Sequence, residues 1–159
     1  MKKILVLIFV VFFAVNILYA QVNVGDKALD FTLTDLDGKQ VSLKNFTNKS
    51  AVLLVFSTTW CKYCIEEIPT LNEIQKNYQK KGLKILSIDV NESIKKVASF
   101  TQKKNIIYTV LLDEKGEVAK LYDVYGFPTN LIIDKKGIIK YRDYSLPENY
   151  KSILDQITK

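Results

Sequence analysis

The sequence predicts an α/β domain: a mixed β-sheet with helices covering both faces. Three observations carry this. Strand-like runs alternate with helical patterns through the middle of the chain, the order of a layered α/β domain. Ala51 to Phe56 is apolar at every position, as a strand buried on both faces requires. Two late runs flank Asp134-Lys135-Lys136-Gly137, a hairpin signature that makes the sheet mixed.

The first twenty residues stand apart from this domain. Met1-Lys2-Lys3 is a short positive region, and Ile4 to Val15 is an uninterrupted run of twelve apolar residues. Apolar character continues past Asn16 to Ala20. This is the layout of a secretory signal peptide, and the uninterrupted core is shorter than the ~20 residues of a comfortable membrane span. Ala20 suits cleavage, whereas Leu18 stands where a small residue is usual, so an uncleaved N-terminal membrane anchor stays open. No cysteine follows the run, which excludes lipid attachment there. Either way residues 21–159 are expected outside the cytoplasm, in a periplasm or on the outer face of the cytoplasmic membrane.

The elements follow in order. Phe31-Thr32-Leu33-Thr34 alternates as a strand, Asp35-Leu36-Asp37-Gly38 reads as a turn, and Gln40-Val41-Ser42-Leu43 returns as a second strand. Ala51 to Phe56 is the buried strand. Ile65, Ile68, Leu71, Ile74 and Tyr78 then recur at helical spacing, and Gly82 ends the pattern. Pro69 falls inside this helix and should kink it. Leu83 to Val90 is a strand, Ser93 to Lys104 a helix, Tyr108 to Leu112 a strand and Glu117 to Tyr122 a short helix. Asn130 to Ile133 and Ile138 to Tyr141 form the late hairpin, and Pro147 to Ile157 closes the chain as a helix.

Composition sets limits on function. Beyond position 20 there is enough chain for one domain with an adequate core. Removing Lys2 and Lys3 from the 23 basic residues leaves 21 against 17 acidic, a net charge of +4. The lysine doublets are scattered, with no long basic run and no aromatic-basic interleaving, so no nucleic-acid partner is expected.

The chemistry sits in Trp60-Cys61-Lys62-Tyr63-Cys64, which holds the chain's 2 cysteines. They lie where the buried strand gives way to a helix. A first cysteine at a helix start faces unpaired amide N–H groups and the positive end of the helix dipole, which favour thiolate. Lys62 adds positive charge beside it. The thiolate is the nucleophile in disulfide exchange, and a second thiol three positions on can resolve the mixed disulfide. A zinc site would need two more ligands, and the chain has no other cysteine and 0 histidines. No metal or other cofactor is expected. A structural disulfide remains an alternative, although so short a loop constrains the unfolded chain little.

Four segments together resemble the thioredoxin superfamily, and more closely its exported TlpA/ResA-like thiol–disulfide oxidoreductases in the AhpC/TSA-redoxin-like branch. They are Ala28-Leu29-Asp30-Phe31-Thr32-Leu33 with Asp37-Gly38-Lys39 and Val41-Ser42-Leu43; Val55 to Cys64; Glu67-Ile68-Pro69; and Tyr125 to Asp134. The resemblance spans about Val24 to Lys159. It implies a thioredoxin-like fold with an N-terminal β-hairpin extension, Cys61 as the attacking thiol and Cys64 as the resolving one. It aligns Pro128 with a cis-proline facing the pair, where the backbone before it would pair with an extended substrate; proline is the residue for which cis is cheap. Phe127 and Trp60 would join Pro128 in contacting substrate. Trp60 would pack beside the pair and shield it, with a plain core tryptophan as the alternative.

Ordinary thioredoxins have a buried aspartate six residues before the first cysteine, and this chain has Val55 there. The TlpA/ResA-like pattern supplies a glutamate three residues after the second cysteine, matched by Glu67. One helical turn brings its carboxyl near the thiols, where it would exchange protons with Cys64. The alternative is a surface carboxylate near a helix start. Glu66 is expected in solvent.

The resemblance implies an enzyme that exchanges disulfides with other exported proteins, mainly as a reductant, with apocytochromes c among the substrates of such proteins. A membrane thiol reductase would recharge it, and the chain is expected to be a monomer. Two alternatives differ in kind. One is a binding module with a structural disulfide. The other is a peroxide reductase, which needs a Pro-x-x-x-Thr-x-x-Cys setting, whereas Cys61 follows Ser57-Thr58-Thr59-Trp60. A disulfide-forming oxidase would need a helical insertion for which Lys84 to Phe127 leaves no room.

Overall fold

Strand β3 (Ala51–Ser57) is the spine of the molecule, with six of its seven residues buried. The computed structural model describes residues 22–159; the predicted signal or anchor at 1–20 lies outside the described residues. β3 pairs in parallel with β4 (Leu83–Val90), which pairs in parallel with β5 (Thr109–Asp113). On its other side β3 meets β6 (Thr129–Ile133) antiparallel, and β6 meets β7 (Ile139–Asp143) antiparallel. The N-terminal hairpin, β1 (Thr32–Asp35) and β2 (Gln40–Ser42), joins the far edge through β5. The sheet order is therefore β2-β1-β5-β4-β3-β6-β7, the mixed thioredoxin-like sheet with its hairpin extension.

Alternation along β3 divides the core in two, because successive side chains face opposite sides. Val52, Leu54 and Phe56 point to one side, where they meet Val22, Phe31 and Tyr122. Tyr122 immediately follows α3 (Glu117–Leu121). Ala51, Leu53 and Val55 point to the other side. They are covered by α1 (Lys62–Tyr78), α2 (Ile94–Lys103) and α4 (Tyr150–Ile157), through Leu71, Ile74, Val97 and Leu154.

Local chemistry fixes the turns. Asp35 Oδ1 accepts the N–H groups of Asp37 and Lys39 at 3.0 and 2.8 Å, an Asx-type turn that closes the first hairpin. Asp134 does the same for Lys136 and Ile138 at 2.9 Å each, with Gly137 at φ 83. Gly82, at φ 88, stops the helical run after Tyr78 and turns the chain into β4.

Some boundaries differ from expectation. Phe31 is not in β1; it turns into the core, edge-on to Tyr122 with ring centroids 6.1 Å apart. Leu43 opens a short 3-10 turn, Leu43–Phe46, instead of ending β2. The last helix begins at Tyr150, because Pro147 to Tyr150 forms a turn closed by Tyr150 N–H to Pro147 C=O at 2.9 Å. α1 runs on for nine residues past Pro69, to Tyr78.

Phe56 is fully buried and its ring centroid lies 5.5 Å from that of Tyr122. Phe56→Ala should lower unfolding free energy by about 3–5 kcal/mol, measured by denaturant titration. A loss below about 1 kcal/mol, smaller than other large-to-small core changes, would show that β3 is not the packing spine described.

Candidate active site

The C-terminal end of β3 delivers the chain to the start of α1, and the cysteines sit at that junction. Cys61 is the N-cap of α1, with extended φ/ψ of −74 and 114. Its Sγ accepts the Cys64 N–H at 3.1 Å, taking the place of the oxygen that usually caps a helix. Cys61 and Cys64 form a disulfide with Cα atoms 5.3 Å apart. Each cysteine residue is only 5% exposed.

The approach loop is pinned from below. Glu92, on the loop after β4, accepts Thr59 N–H at 2.6 Å and Thr59 Oγ1–H at 2.7 Å. It also forms an ion pair with Lys96 of α2. Burial pushes the Glu92 carboxyl upward, but the bonds from Lys96 and Thr59 outweigh this and hold it below its ordinary value.

Across from α1, Phe127–Pro128 is a cis peptide bond leading into β6. Thr129 Oγ1 donates to Gly126 C=O at 2.8 Å within this loop. Trp60 meets Phe127 edge-on, with centroids 6.1 Å apart. Trp60 is 67% exposed, which overturns the core-tryptophan alternative: the loop before Cys61 holds its indole outward. Lys62 also faces solvent and pairs with exposed Glu66 at 3.8 Å, so its charge reaches Cys61 screened by water and by a carboxylate.

Glu67 lies one turn beyond Cys64, half-buried. Its carboxylate accepts Asn130 Nδ2–H, which lies 3.1 Å from both oxygens, and the Leu146 N–H at 3.3 Å. These bonds aim it at β6 and at the segment between β7 and α4. Burial raises the Glu67 carboxyl above its ordinary value, against the lowering effect of the two hydrogen bonds. Glu67, Tyr63, Phe127, Pro128, Tyr144 and Leu146 help to line an open cleft of about 630 Å³, within the range of ligand-binding clefts. Glu67 is thus partly withdrawn from solvent at the wall of this cleft, unlike its exposed neighbour Glu66.

Sequence reading missed Asp89. It lies on β4, buried, where side-chain hydrogen bonding to Glu92 and loss of solvent act on it together. Burial foremost, then Glu92, pushes its carboxyl up to about 8. An aspartate inside the otherwise apolar stretch Ile88-Asp89-Val90 was the available signal. Among the described residues, no cluster of three or more His, Cys, Asp or Glu side chains could hold a metal ion, and no helix is long and apolar enough to cross a membrane.

The AhpC/TSA family pattern matches residues 24–142, from the entry to the hairpin extension through most of β7. The chain belongs to the AhpC/TSA family. Within its wider kin, thiol-disulfide oxidoreductase ResA of Bacillus thuringiensis subsp. konkukian is 36% identical over 140 residues, covering 87% of this chain and 80% of that protein. ResA of Geobacillus thermodenitrificans is 38% identical over 119 residues, covering 75% and 68%. Among solved structures, a protein provisionally assigned as thiol:disulfide interchange protein DsbE from Chlorobium tepidum aligns with a TM-score of 0.76 at 31% identity, covering 86% of this chain and 95% of that one. With the Cys61–Cys64 disulfide, these relatives make this AhpC/TSA chain a thiol–disulfide oxidoreductase.

The Glu67 environment has a measurable consequence. A carboxyl raised on folding binds protons more tightly in the native than in the unfolded state, so stability falls as pH rises from about the ordinary 4.5 through the raised folded value. Glu67→Gln removes that loss. The variant should gain stability relative to wild type as pH climbs from 4 to 8, read from denaturant midpoints of the oxidised proteins. A difference that does not change with pH would contradict the burial effect.

Proposed function

We propose that this protein is an exported reductant of disulfides in other exported proteins, working in a periplasm or on the outer face of the cytoplasmic membrane. The observation that carries the mechanism is the cysteine pair at the start of α1. When the disulfide opens, the Cys64 N–H and the helix N-terminus both face the Cys61 sulfur and stabilise negative charge on it. Cys61 thiolate attacks a substrate disulfide. Cys64 then attacks Cys61, releases the reduced substrate and restores the Cys61–Cys64 bond. Glu67 exchanges protons with Cys64 in this step, a role suited to a half-buried carboxyl one helical turn away.

Substrate would lie along the cleft beside Phe127 and Pro128, with exposed Trp60 at its rim. Tyr63 and Tyr144 add exposed aromatic surface at the same cleft. Such rings contribute large contact area at little entropic loss. Apocytochromes c awaiting haem attachment are one substrate class for this chemistry. A membrane thiol reductase would return the pair to the dithiol, since each turnover leaves it oxidised. The apolar run at 4–15 supports export.

Two measurements test this. The reduction potential of the pair, equilibrated against defined thiol/disulfide buffers, should lie near the about −270 mV typical of a strong donor. A value near about −120 mV, that of a strong oxidant, would reverse the proposed direction. Cys64→Ser should accumulate a mixed disulfide through Cys61, visible as a reductant-sensitive adduct by mass spectrometry, and Cys61→Ser should not. Adducts forming equally on both variants would contradict the assigned order of attack. A pair that resists mild reductant altogether would favour a binding module with a structural disulfide.

A further inference from the structure

Behind the disulfide lies a carboxyl group that the exchange at Glu67 does not use. Asp89 is 4% exposed and stands in register with Ser57, the last residue of β3. It lines an internal void of about 10 Å³ together with Cys64, Ser57, Ser87, Thr101 and Tyr108. That is close to the smallest space that holds one water. Asp89 Oδ1 and Thr101 Oγ1 are buried oxygens with no hydrogen-bond partner among the described residues, and both residues line this void. Buried polar atoms are rarely left unpaired, so a polar space of this size is suited to a single bridging water.

Asp89 is also hydrogen-bonded to Glu92. Two carboxyl groups can bond to each other only when one carries a proton. Glu92, held by Lys96 and Thr59, is the ionised member, and Asp89 is the protonated one. The titratable and charged groups around Asp89 are Glu92 from the loop after β4, Lys96 from α2, Cys64 from α1 and Tyr108 at the entry to β5. From β3 the neutral Ser57 lines the same void. Glu67 acts electrostatically on Tyr108, but its carboxylate is bonded to Asn130 and Leu146.

We propose that Asp89, paired with Glu92, is a second proton-exchange residue for Cys64, acting across the void behind the disulfide. The inference rests on Cys64 being the resolving thiol. During resolution the Cys64 thiol gives its proton to the Asp89 carboxylate, and the thiolate attacks Cys61 of the mixed disulfide. The Cys61–Cys64 bond forms, the bond to the partner sulfur breaks, and the partner leaves as a thiolate. The cysteine pair loses two electrons and the partner gains them. In the opposite half-reaction an incoming thiolate attacks Cys61, Cys64 leaves as a thiolate, and the Asp89 carboxylic acid protonates it. One proton passes back and forth between the two residues over a full cycle.

The test uses the full chain carrying a glutathione mixed disulfide at Cys61, with glutathione release followed against pH. Wild type should show a step near pH 8, where Asp89 ionises. Asp89→Asn should lose the step and release glutathione at least about tenfold more slowly at that pH, less than the ~10²–10⁴-fold of a sole general base because Glu67 remains. Glu67→Gln should keep the step. An unchanged profile in Asp89→Asn overturns the proposal. Should that variant not fold, carboxyl 13C NMR of the wild-type chain decides. The Asp89 titration should shift between the disulfide and dithiol forms, because coupled groups titrate together, and identical titrations overturn the proposal. If the wild type releases no glutathione, the resolving role of Cys64 fails, and the NMR comparison still decides whether Asp89 and Cys64 are coupled.

Discussion

Burial of β3 on both faces is the constraint on which the rest of the molecule depends. A strand with neighbours on each edge and apolar cover on each side cannot slip by one residue without turning its whole inner pattern outward. Its register with β4 and β6 is therefore fixed, and so is the point where it ends. Ser57 leaves the sheet, Thr59 is tied down by Glu92, and Cys61 arrives at the first turn of α1. The Cys61 sulfur owes its position first to apolar packing several residues upstream, and then to its bonds with Cys64.

The same scaffold gives three acidic groups three environments. Glu92 is buried but satisfied by a cation and by the loop it anchors, and it stays ionised. Glu67 is half-buried at the cleft with neutral donors. Asp89 is buried beside another carboxyl group, and burial foremost, then Glu92, pushes its carboxyl up to about 8. Environment, not residue type, sets these three carboxyl groups apart, as in enzymes that hold like side chains in different protonation states. The space behind Cys64 takes its polar lining from Ser57, Ser87, Asp89 and Thr101, while Val55 of β3 packs in the apolar core.

Much of this was legible in the sequence. The unbroken apolar run of β3, the helical spacing from Ile65 to Tyr78 and the Asp134–Gly137 turn are local signals, and each element appeared where its pattern placed it. Boundaries were less legible where tertiary packing decided them: Phe31 left its strand to meet Tyr122, and Leu43 turned inward from the end of β2. Trp60 was ambiguous because a large apolar ring belongs equally to a core or to a recognition surface, and only the direction of the loop separates the two. The surroundings of Asp89 carry no local signal because the residues around it, Cys64 across the void and Glu92, come from the first turn of α1 and from the loop after its own strand. Side-chain convergence of that kind has no periodicity to read.

Trp60 is the chain's 1 tryptophan, and it stands in solvent in the position before Cys61. Indole emission responds to the polarity around the ring, and no second indole adds a background signal. A molecule that covers Trp60 together with the adjoining Cys61 would displace water from this ring. The molecule thus carries a built-in optical probe beside its cysteine pair, and a change in what surrounds that pair can be followed by light without attaching a label.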